Sequence, residues 1–534
     1  MKKFFALCSA LIMLVSLTGT FPAAAAPLAE EEHARLFCDE GDPLCAETAD
    51  AIGYEGRYTG HDEPSLLFYS NGPGSGNNNL YQLRLPTDPP TLPTQDGTGG
   101  TFNFQLHIAF WFGMALCDNQ SAPEFTHAPC VPDSDANIFD GADPAAPDYI
   151  GRHPGTAFLE LQFYPPGWVP FQNAISCDAT QWCAAMAIFS LNQDQNAGVL
   201  NNASCLNTVG LEPANFAFIT KSGVPHAPPA PLDLTLNSFT PNPATDLFMG
   251  SGDQITIDIH DTADGLQILL HDTTSGQTGS MTASVANGFA QVNFDPTATT
   301  CTQTPYAFHP MYATSSEHTR VPWAAHSYNV AFSDEIGHFE YCANVVDGTC
   351  AGDPNDPNGP DGDDVGCFDA AQSLRVQIGG CIGTDNDFDG VSYQTVWPGS
   401  LSNPGQNNTR NPNSILFSSP TFNGGQKYSR MAFEADLPRI EAADFGGSCN
   451  RTTGANCVNP PPGANFYPIY STRNTNQGCR WQFGGANISG TKNTFGGNST
   501  AQYGPLLQSV YPGPGFTPIL RYNNFRRILS SNPC

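Results

Sequence analysis

Residues 252–285 read GDQITIDIHDTADGLQILLHDTTSGQTGSMTASV, and this stretch decides the fold class. Ile255, Ile257 and Ile259 alternate with polar residues such as Asp258. Alternation with a period of two is typical of a strand that buries one face and exposes the other. The pattern predicts that the three isoleucines lie in a core between two sheets, with Asp258 outside it.

The residues that follow turn this strand into a meander. Asp-Gly at 264–265 favours a tight turn because both residues tolerate positive φ, and residues 267–271 then run back to a second turn at 274–276. Similar short runs recur along a chain that contains 52 Gly and 46 Pro, so many short strands joined by turns fit better than long helices. We predict an all-β protein built on an antiparallel β-sandwich.

Composition divides the 534 residues into segments. Because one ordinary core does not organise a chain of this length, we expect a main domain and a smaller region beside it. The predicted segments are a signal peptide (1–26), an N-terminal lead-in (27–59), the β-sandwich domain (60–345), an acidic Pro/Gly-rich linker (346–379) and an irregular β-rich C-terminal region (380–534).

The first residues and the net charge indicate where the protein works. Two lysines, an apolar run and a small-residue zone at 23–26 are typical of a secretory signal, which predicts a secreted, extracellular protein. A formal net charge of −30 excludes simple electrostatic binding to nucleic acid or to an anionic membrane. The expected partners are extracellular protein or polysaccharide.

Cysteine usage agrees with export. Apart from Cys8 in the signal there are 16 cysteines, an even number, and disulfides are expected outside the cell. Sequence does not settle connectivity, but close spacing favours the following pairs: Cys38–Cys45, Cys117–Cys130, Cys177–Cys183, Cys350–Cys367, Cys449–Cys457 and, across the central stretch, Cys301–Cys342.

Several short pieces of the chain resemble the glutamic peptidases, also called eqolisins. The pieces are AFLE at 157–160, GDQI at 252–255 with TTSGQ at 273–277, and SE at 316–317 followed by VAFSD at 330–334. The resemblance implies a concanavalin A-like sandwich, or jelly roll, and a secreted hydrolase. The common hydrolase signatures, Gly-x-Ser-x-Gly and His-Glu-x-x-His, do not occur.

The resemblance also implies site residues. Glu317 falls on the position of the catalytic glutamate, which would act as general base, while an amide would hydrogen-bond the oxyanion. The glutamine that supplies this amide in the family has no counterpart at 112–117. Gln162 is the candidate substitute, since it lies two residues after Glu160 and both side chains therefore share a sheet face.

Two groups of residues could hold a metal ion. Asp385, Asp387 and Asp389 alternate and are followed by Gly390, a spacing that favours a structural calcium loop. The alternative is a plain acidic turn, because the glutamate that closes an EF-hand is replaced by Val396. Histidines near Glu317 form a second group without the spacing of a known metal site: His309, His318, His326 and His338.

Two further functions stay open. Sandwiches of this kind bind or cleave glycans with exposed aromatic side chains on the concave face, and Trp168 and Trp323 are the candidates for such a role. A purely structural extracellular protein is the third possibility. A carboxylate–amide pair in a groove favours the peptidase, and aromatic residues without such a pair favour the glycan module.

Overall fold

The computed structural model describes a discontinuous part of the chain. The described residues are 58–59, 65–70, 72, 74–87, 107–121, 156–164, 166, 177–178, 180–190, 192–194, 199–200, 202–210, 212–310, 330–336, 338–339, 345–346, 349–350, 380–381, 415–436, 470–483, 491–495, 507–510, 519–522, 524–529 and 531–534. Nearly all regular structure within them is β, with one short helix, α1 (Leu206–Val209), and one 3₁₀ turn, Leu236–Phe239.

The strands in the first half of the described chain are β1 (Tyr58–Thr59), β2 (Ser65–Tyr69), β3 (Asn78–Arg84), β4 (His107–Cys117), β5 (Thr156–Tyr164), β6 (Gln181–Ser190), β7 (Gln193–Asp194), β8 (Val199–Leu200), β9 (Ala214–Phe218), β10 (Met249–Gly250), β11 (Gln254–Thr262), β12 (Gly265–Asp272), β13 (Thr278–Thr282), β14 (Ala290–Val292) and β15 (Gln303–Pro305). The later strands are β16 (Val330–Ile336), β17 (His338–Phe339), β18 (Val345–Val346), β19 (Thr349–Cys350), β20 (Gly380–Cys381), β21 (Leu416–Phe417), β22 (Thr421–Phe422), β23 (Gln426–Lys427), β24 (Arg430–Asp436), β25 (Tyr470–Thr475), β26 (Gly478–Phe483), β27 (Thr491–Phe495), β28 (Leu507–Val510), β29 (Ile519–Tyr522) and β30 (Asn524–Leu529).

Two large sheets dominate the described residues. A nine-stranded sheet has the order β10-β6-β5-β4-β16-β2-β24-β30, with β9 beside β6. A ten-stranded sheet has the order β13-β12-β11-β3-β21-β26-β25-β27, with the β22–β23 hairpin beside β3. The strand pairs in both sheets are antiparallel.

The predicted meander is confirmed as β11, β12 and β13. Ile255, Ile257 and Ile259 are at most 1% exposed, while Asp258 and His260 lie on the other face. The turn between β11 and β12 ends at Gly265, whose φ is +130°. A Cβ there would lie 2.4 Å from the carbonyl oxygen of Ala283, so the turn requires glycine.

The core lies between the two sheets. Phe112 of the nine-stranded sheet contacts Tyr81 and Phe417 of the ten-stranded sheet, with ring centroids 4.6 and 6.0 Å away. Phe332 stacks on Phe417 at 4.0 Å. Fully burying one such side chain contributes roughly 1.5–3 kcal/mol, so these aromatic contacts hold the sheets face to face.

The nine-stranded sheet is buried on its outer face as well. Phe158, Tyr164 and Phe218 point away from the main core and form a second cluster with Leu234 and Phe248. Burial on both faces explains why β4 and β6 are continuous apolar runs without alternation. The apolar run that ends at Cys117 forms the single strand β4.

The C-terminal strands belong to the same two sheets. β24 pairs with β2 and β30 with β24 in the nine-stranded sheet, while β21 inserts between β3 and β26 in the other. Both sheets therefore contain strands from before and after the linker expected at 346–379. Most of that linker lies outside the described residues. Residues after 380 complete the sandwich instead of packing beside it.

The described disulfides correct one predicted pair. Cys177–Cys183 forms as predicted, but Cys301 pairs with Cys205 and not with Cys342, and Cys479 pairs with Cys534. Cys117 is also disulfide-bonded. Its predicted partner Cys130 and the pairs Cys38–Cys45, Cys350–Cys367 and Cys449–Cys457 involve side chains outside the described part. No helix in that part is long and apolar enough to cross a bilayer.

We expect the Cys205–Cys301 bond to be found in the purified protein. Their Cα atoms are 4.6 Å apart although 96 residues separate them, and this distance lies within disulfide geometry. Peptide mapping by mass spectrometry under non-reducing conditions should recover the cross-linked fragment. Recovery of a Cys301–Cys342 fragment instead would contradict the pairing.

Candidate active site

Glu160, Gln162 and Tyr164 form a hydrogen-bonded row on the outer face of β5. The residues between them, Leu159, Leu161 and Phe163, point into the main core, so the period of the strand places the three polar side chains together on the opposite face. Glu160 and Gln162 are each 1% exposed, as is Tyr164. The shared face expected for Glu160 and Gln162 is therefore present.

The direction of each hydrogen bond in the row is fixed by its chemistry. The Tyr164 hydroxyl donates to Gln162 Oε1, and Gln162 Nε2 donates to Glu160 Oε2. A carboxylate only accepts, so the nitrogen of the amide has to face Glu160 and its oxygen has to face Tyr164. Tyr164 thus holds the amide with its N–H groups toward the carboxylate.

Small residues flank the carboxylate across the sheet. The register places Gly113 and Ala187 directly beside Glu160, and Ala331 beyond Gly113. Because these three residues have small side chains or none, the row and Trp111 lie over them on the outer face of the sheet. A Cβ on Gly113 would lie 2.4 Å from Trp111 Cζ3, so the indole lies over the glycine.

Tyr164 is held by its surroundings. Its ring packs against Phe216 and Phe218, with centroids 6.4 and 6.3 Å away. Tyr164 is the register partner of Cys183, and the Cys177–Cys183 disulfide fixes the segment beside it. Aromatic packing and the disulfide beside it therefore hold the end of the row that orients the amide.

The other predicted site residues lie outside the described residues. They are Glu317, the calcium-loop candidates Asp385, Asp387 and Asp389, and the aromatic candidates Trp168 and Trp323. No group of three or more His, Cys, Asp or Glu in the described part is arranged to hold a metal ion. The described tryptophans are buried and none forms an exposed aromatic platform: Trp111, Trp182 and Trp481.

A second polar cluster surrounds Asp118, which sequence analysis did not single out. Its Oδ2 accepts from Ser190 Oγ at 2.6 Å and its Oδ1 from Gln291 Nε2 at 2.7 Å, together with the backbone N–H groups of Gln120 and Ser121. Burial raises the pKa of Asp118, and the hydrogen bonds partly oppose that rise. Ser190 bonds the carboxyl directly without an intervening imidazole, so the cluster joins the ends of β4 and β6 to β14 and does not form a nucleophile.

Histidines and aspartates form pairs elsewhere. The Nδ1–Oδ1 distances are given with each pair: His226–Asp246 (2.7 Å), His309–Asp261 (2.9 Å) and His260–Asp258 (3.1 Å). Hydrogen bonding to the partner carboxylate raises the pKa of His260 and of His309. His309 thus faces Asp261, while the side chains of the other three histidines of its sequence group lie outside the described part.

Asp253, in the GDQI sequence at 252–255, has a local structural role. Its Oδ2 accepts from the backbone N–H of Gly250 at 2.6 Å, closing the turn before β11. Burial, and then the negative charge of Asp272, raise the pKa of Asp253.

No family model, curated protein or solved structure matches this chain.

Proposed function

We propose that this chain is a secreted hydrolase of the glutamic-peptidase type, acting on extracellular protein. The observation that carries the proposal is the Glu160–Gln162–Tyr164 row, which pairs a carboxylate with an oriented amide on one sheet face. General-base hydrolysis needs the carboxylate within hydrogen-bond reach of one water and the amide within reach of the oxyanion that forms next to it. The resemblance adds Glu317 as a second candidate for the base.

In the proposed reaction Glu160 takes a proton from a water molecule, which attacks the peptide carbonyl carbon. The Gln162 amide N–H then donates to the oxyanion of the tetrahedral intermediate, and the protonated carboxyl returns the proton to the leaving amine. Tyr164 positions the amide and does not touch the substrate. Because Glu160 is 1% exposed, the substrate has to displace side chains that cover this face.

The remaining features of the proposal have separate support. The disulfides and the β-rich fold fit an exported protein, and the concanavalin A-like topology is proposed from the resemblance. A structural calcium ion at Asp385, Asp387 and Asp389 is proposed from their spacing alone. Activity assays should accordingly include calcium.

The purified protein is expected to cleave unfolded protein substrates at acidic pH. The measurement is peptide release from a denatured protein between about pH 2 and 7, the range in which an acidic general base titrates. New amino termini should appear in proportion to enzyme concentration. If the protein is inert on peptides across this range, with calcium present, the hydrolase proposal fails.

A further inference from the structure

Positive charge is concentrated at the C-terminal end of a chain that is otherwise acidic. The whole sequence has 50 Asp and Glu against 20 Lys and Arg. Residues 445–534 contain seven Lys or Arg and no Asp or Glu. Within the described residues, Arg473, Arg480 and Lys492 lie on β25, β26 and β27 of the ten-stranded sheet. Arg521 lies on β29, and Arg526 and Arg527 lie on β30, which belong to other sheets.

Two arginines of these strands face each other on the side of the sheet that points away from the core. Arg473 and Arg480 are direct cross-strand partners, and the alternating neighbour Trp481 points into the core. Like charges directly opposite each other destabilise a strand pair. An anion bound between them would remove that repulsion.

Arg480 is buried against neutral partners only. It is 9% exposed, and its Nη2 donates to Gln82 Oε1 at 2.5 Å and its Nη1 to the carbonyl oxygen of Cys479 at 3.0 Å. Burial lowers the pKa of Arg480, and in the described part of the chain no carboxylate pairs with it. A guanidinium has five N–H donors, so further donors remain for an anionic ligand, and a desolvated cation gains most from one.

Two polar side chains beside the arginines have unused hydrogen-bonding capacity. Ser471 and Gln482 are cross-strand partners on the same face, 0% and 2% exposed. Among the described residues, Ser471 Oγ and Gln482 Oε1 have no hydrogen-bond partner. An amide oxygen needs a donor, which a carboxylate or phosphate oxygen cannot supply but a sugar hydroxyl can.

We propose that this surface, the arginine face, binds an extracellular polysaccharide built from uronic acids. Its residues are Arg84, Arg473, Arg480, Gln82, Ser471 and Gln482. The arginines hold the carboxylates of the polymer, for which the planar guanidinium is the matching donor. Gln482 is 2% exposed, so it accepts a hydrogen bond from a ring hydroxyl only once binding of the polymer uncovers it. Arg84 and Arg473 are exposed and form the rim at which the polymer approaches. This site lies on the other sheet from Glu160 and does not depend on the hydrolase proposal.

Affinity electrophoresis through gels that contain polygalacturonate tests the proposal. With a formal net charge of −30 the protein is repelled by a polyanion as a whole, so retardation reports a local cationic site. No calcium is added to the gels because calcium would bridge the polymer to acidic surfaces. We expect retardation at low salt, relief by added salt and none in gels containing neutral dextran.

Matched charge variants locate the site. Arg473→Gln and Arg480→Gln should each weaken binding roughly tenfold or more, the usual cost of a lost charged hydrogen bond. Lys221→Gln removes the same charge from a lysine that bonds the carbonyl oxygen of Pro243, and it should bind as the wild type does. If Arg480→Gln does not fold, Arg473→Gln and Arg84→Gln test the site instead. Both side chains are exposed, so these changes should not affect folding.

Several outcomes would overturn the inference. The first is wild-type protein that migrates without retardation. The second is an equal loss of binding in Arg473→Gln and Lys221→Gln. The third is tighter binding to a single-stranded polynucleotide than to polygalacturonate. The Glu160→Gln protein should bind the polymer normally. Loss of peptide cleavage with retained polymer binding therefore separates the two sites.

Discussion

Replacing Glu160 with glutamine is expected to slow peptide cleavage by about 10²–10⁴-fold, which is the contribution of general-base catalysis. Glutamine has the shape of glutamate and can still accept from Gln162 Nε2 through its own oxygen, but it does not take a proton from water. The fold should be retained because the hydrogen-bonded row on β5 is retained. The measurement is kcat and kcat/KM together with the melting temperature.

Two further variants separate the roles within the row. Gln162→Ala removes the proposed oxyanion donor and should cost about 10²–10³-fold in kcat. Tyr164→Phe removes the hydroxyl that orients the amide, so we expect a smaller loss in kcat with KM unchanged. An effect on melting temperature alone would assign Tyr164 a structural role only.

Comparison with Glu317→Gln decides which glutamate is the base. If Glu160→Gln is inactive and Glu317→Gln is active, the row on β5 is the catalytic pair; the reverse result moves the base to Glu317 and makes Glu160 a buried support. Full activity in both variants would exclude the proposed mechanism.

The parts of the fold that depend on local pattern could be predicted from the sequence. Alternation identified the buried face of β11 because one face of that strand meets the core and the other meets solvent. The same two-residue period predicted that Glu160 and Gln162 share one face of a strand. Two residues further along, it places Tyr164 on that face, and Tyr164 completes the hydrogen-bonded row.

Features that depend on distant partners could not be predicted in this way. The pairing of β2 with β24 joins Ser65 to Glu434, and no local pattern identifies a strand's neighbour across such a separation. Cys301 pairs with Cys205 for the same reason, since spacing does not reveal which cysteine the fold brings within reach. A doubly buried sheet also removes the alternation that would have marked β4 as one strand.

Asp118 shows the same limit at a polar site, because its side-chain donors Ser190 and Gln291 come from other strands. Replacing Asp118 with alanine is expected to lower the free energy of unfolding by roughly 3–5 kcal/mol. The change leaves a buried hydroxyl, a buried amide and the backbone N–H groups of Gln120 and Ser121 without their acceptor. Urea unfolding at constant m value, with disulfides intact, measures the loss.

Asp118→Asn is the conservative partner of that variant and reveals the pH dependence. Asn keeps one acceptor oxygen, and the Ser190 hydroxyl can rotate to accept from the new amide. Because burial raises the folded-state pKa of Asp118, the native wild type holds this proton more tightly than the unfolded chain does. The stabilisation from Asp118 is therefore fully present below the unfolded pKa and is lost as pH rises through the folded pKa.

The stability of Asp118→Asn relative to wild type should thus increase as pH rises from about 3 toward neutrality. Asp295→Ala is the control for the loss of an aspartate that caps its own turn, since Asp295 is exposed and its carboxylate accepts from Thr297. This change should cost less than about 1 kcal/mol. Equal losses in Asp118→Ala and Asp295→Ala would show that the buried cluster adds no stability. A pH-independent difference between Asp118→Asn and wild type would show that the pKa of Asp118 is the same in the folded and unfolded chains, and that burial in the sandwich does not hold its proton.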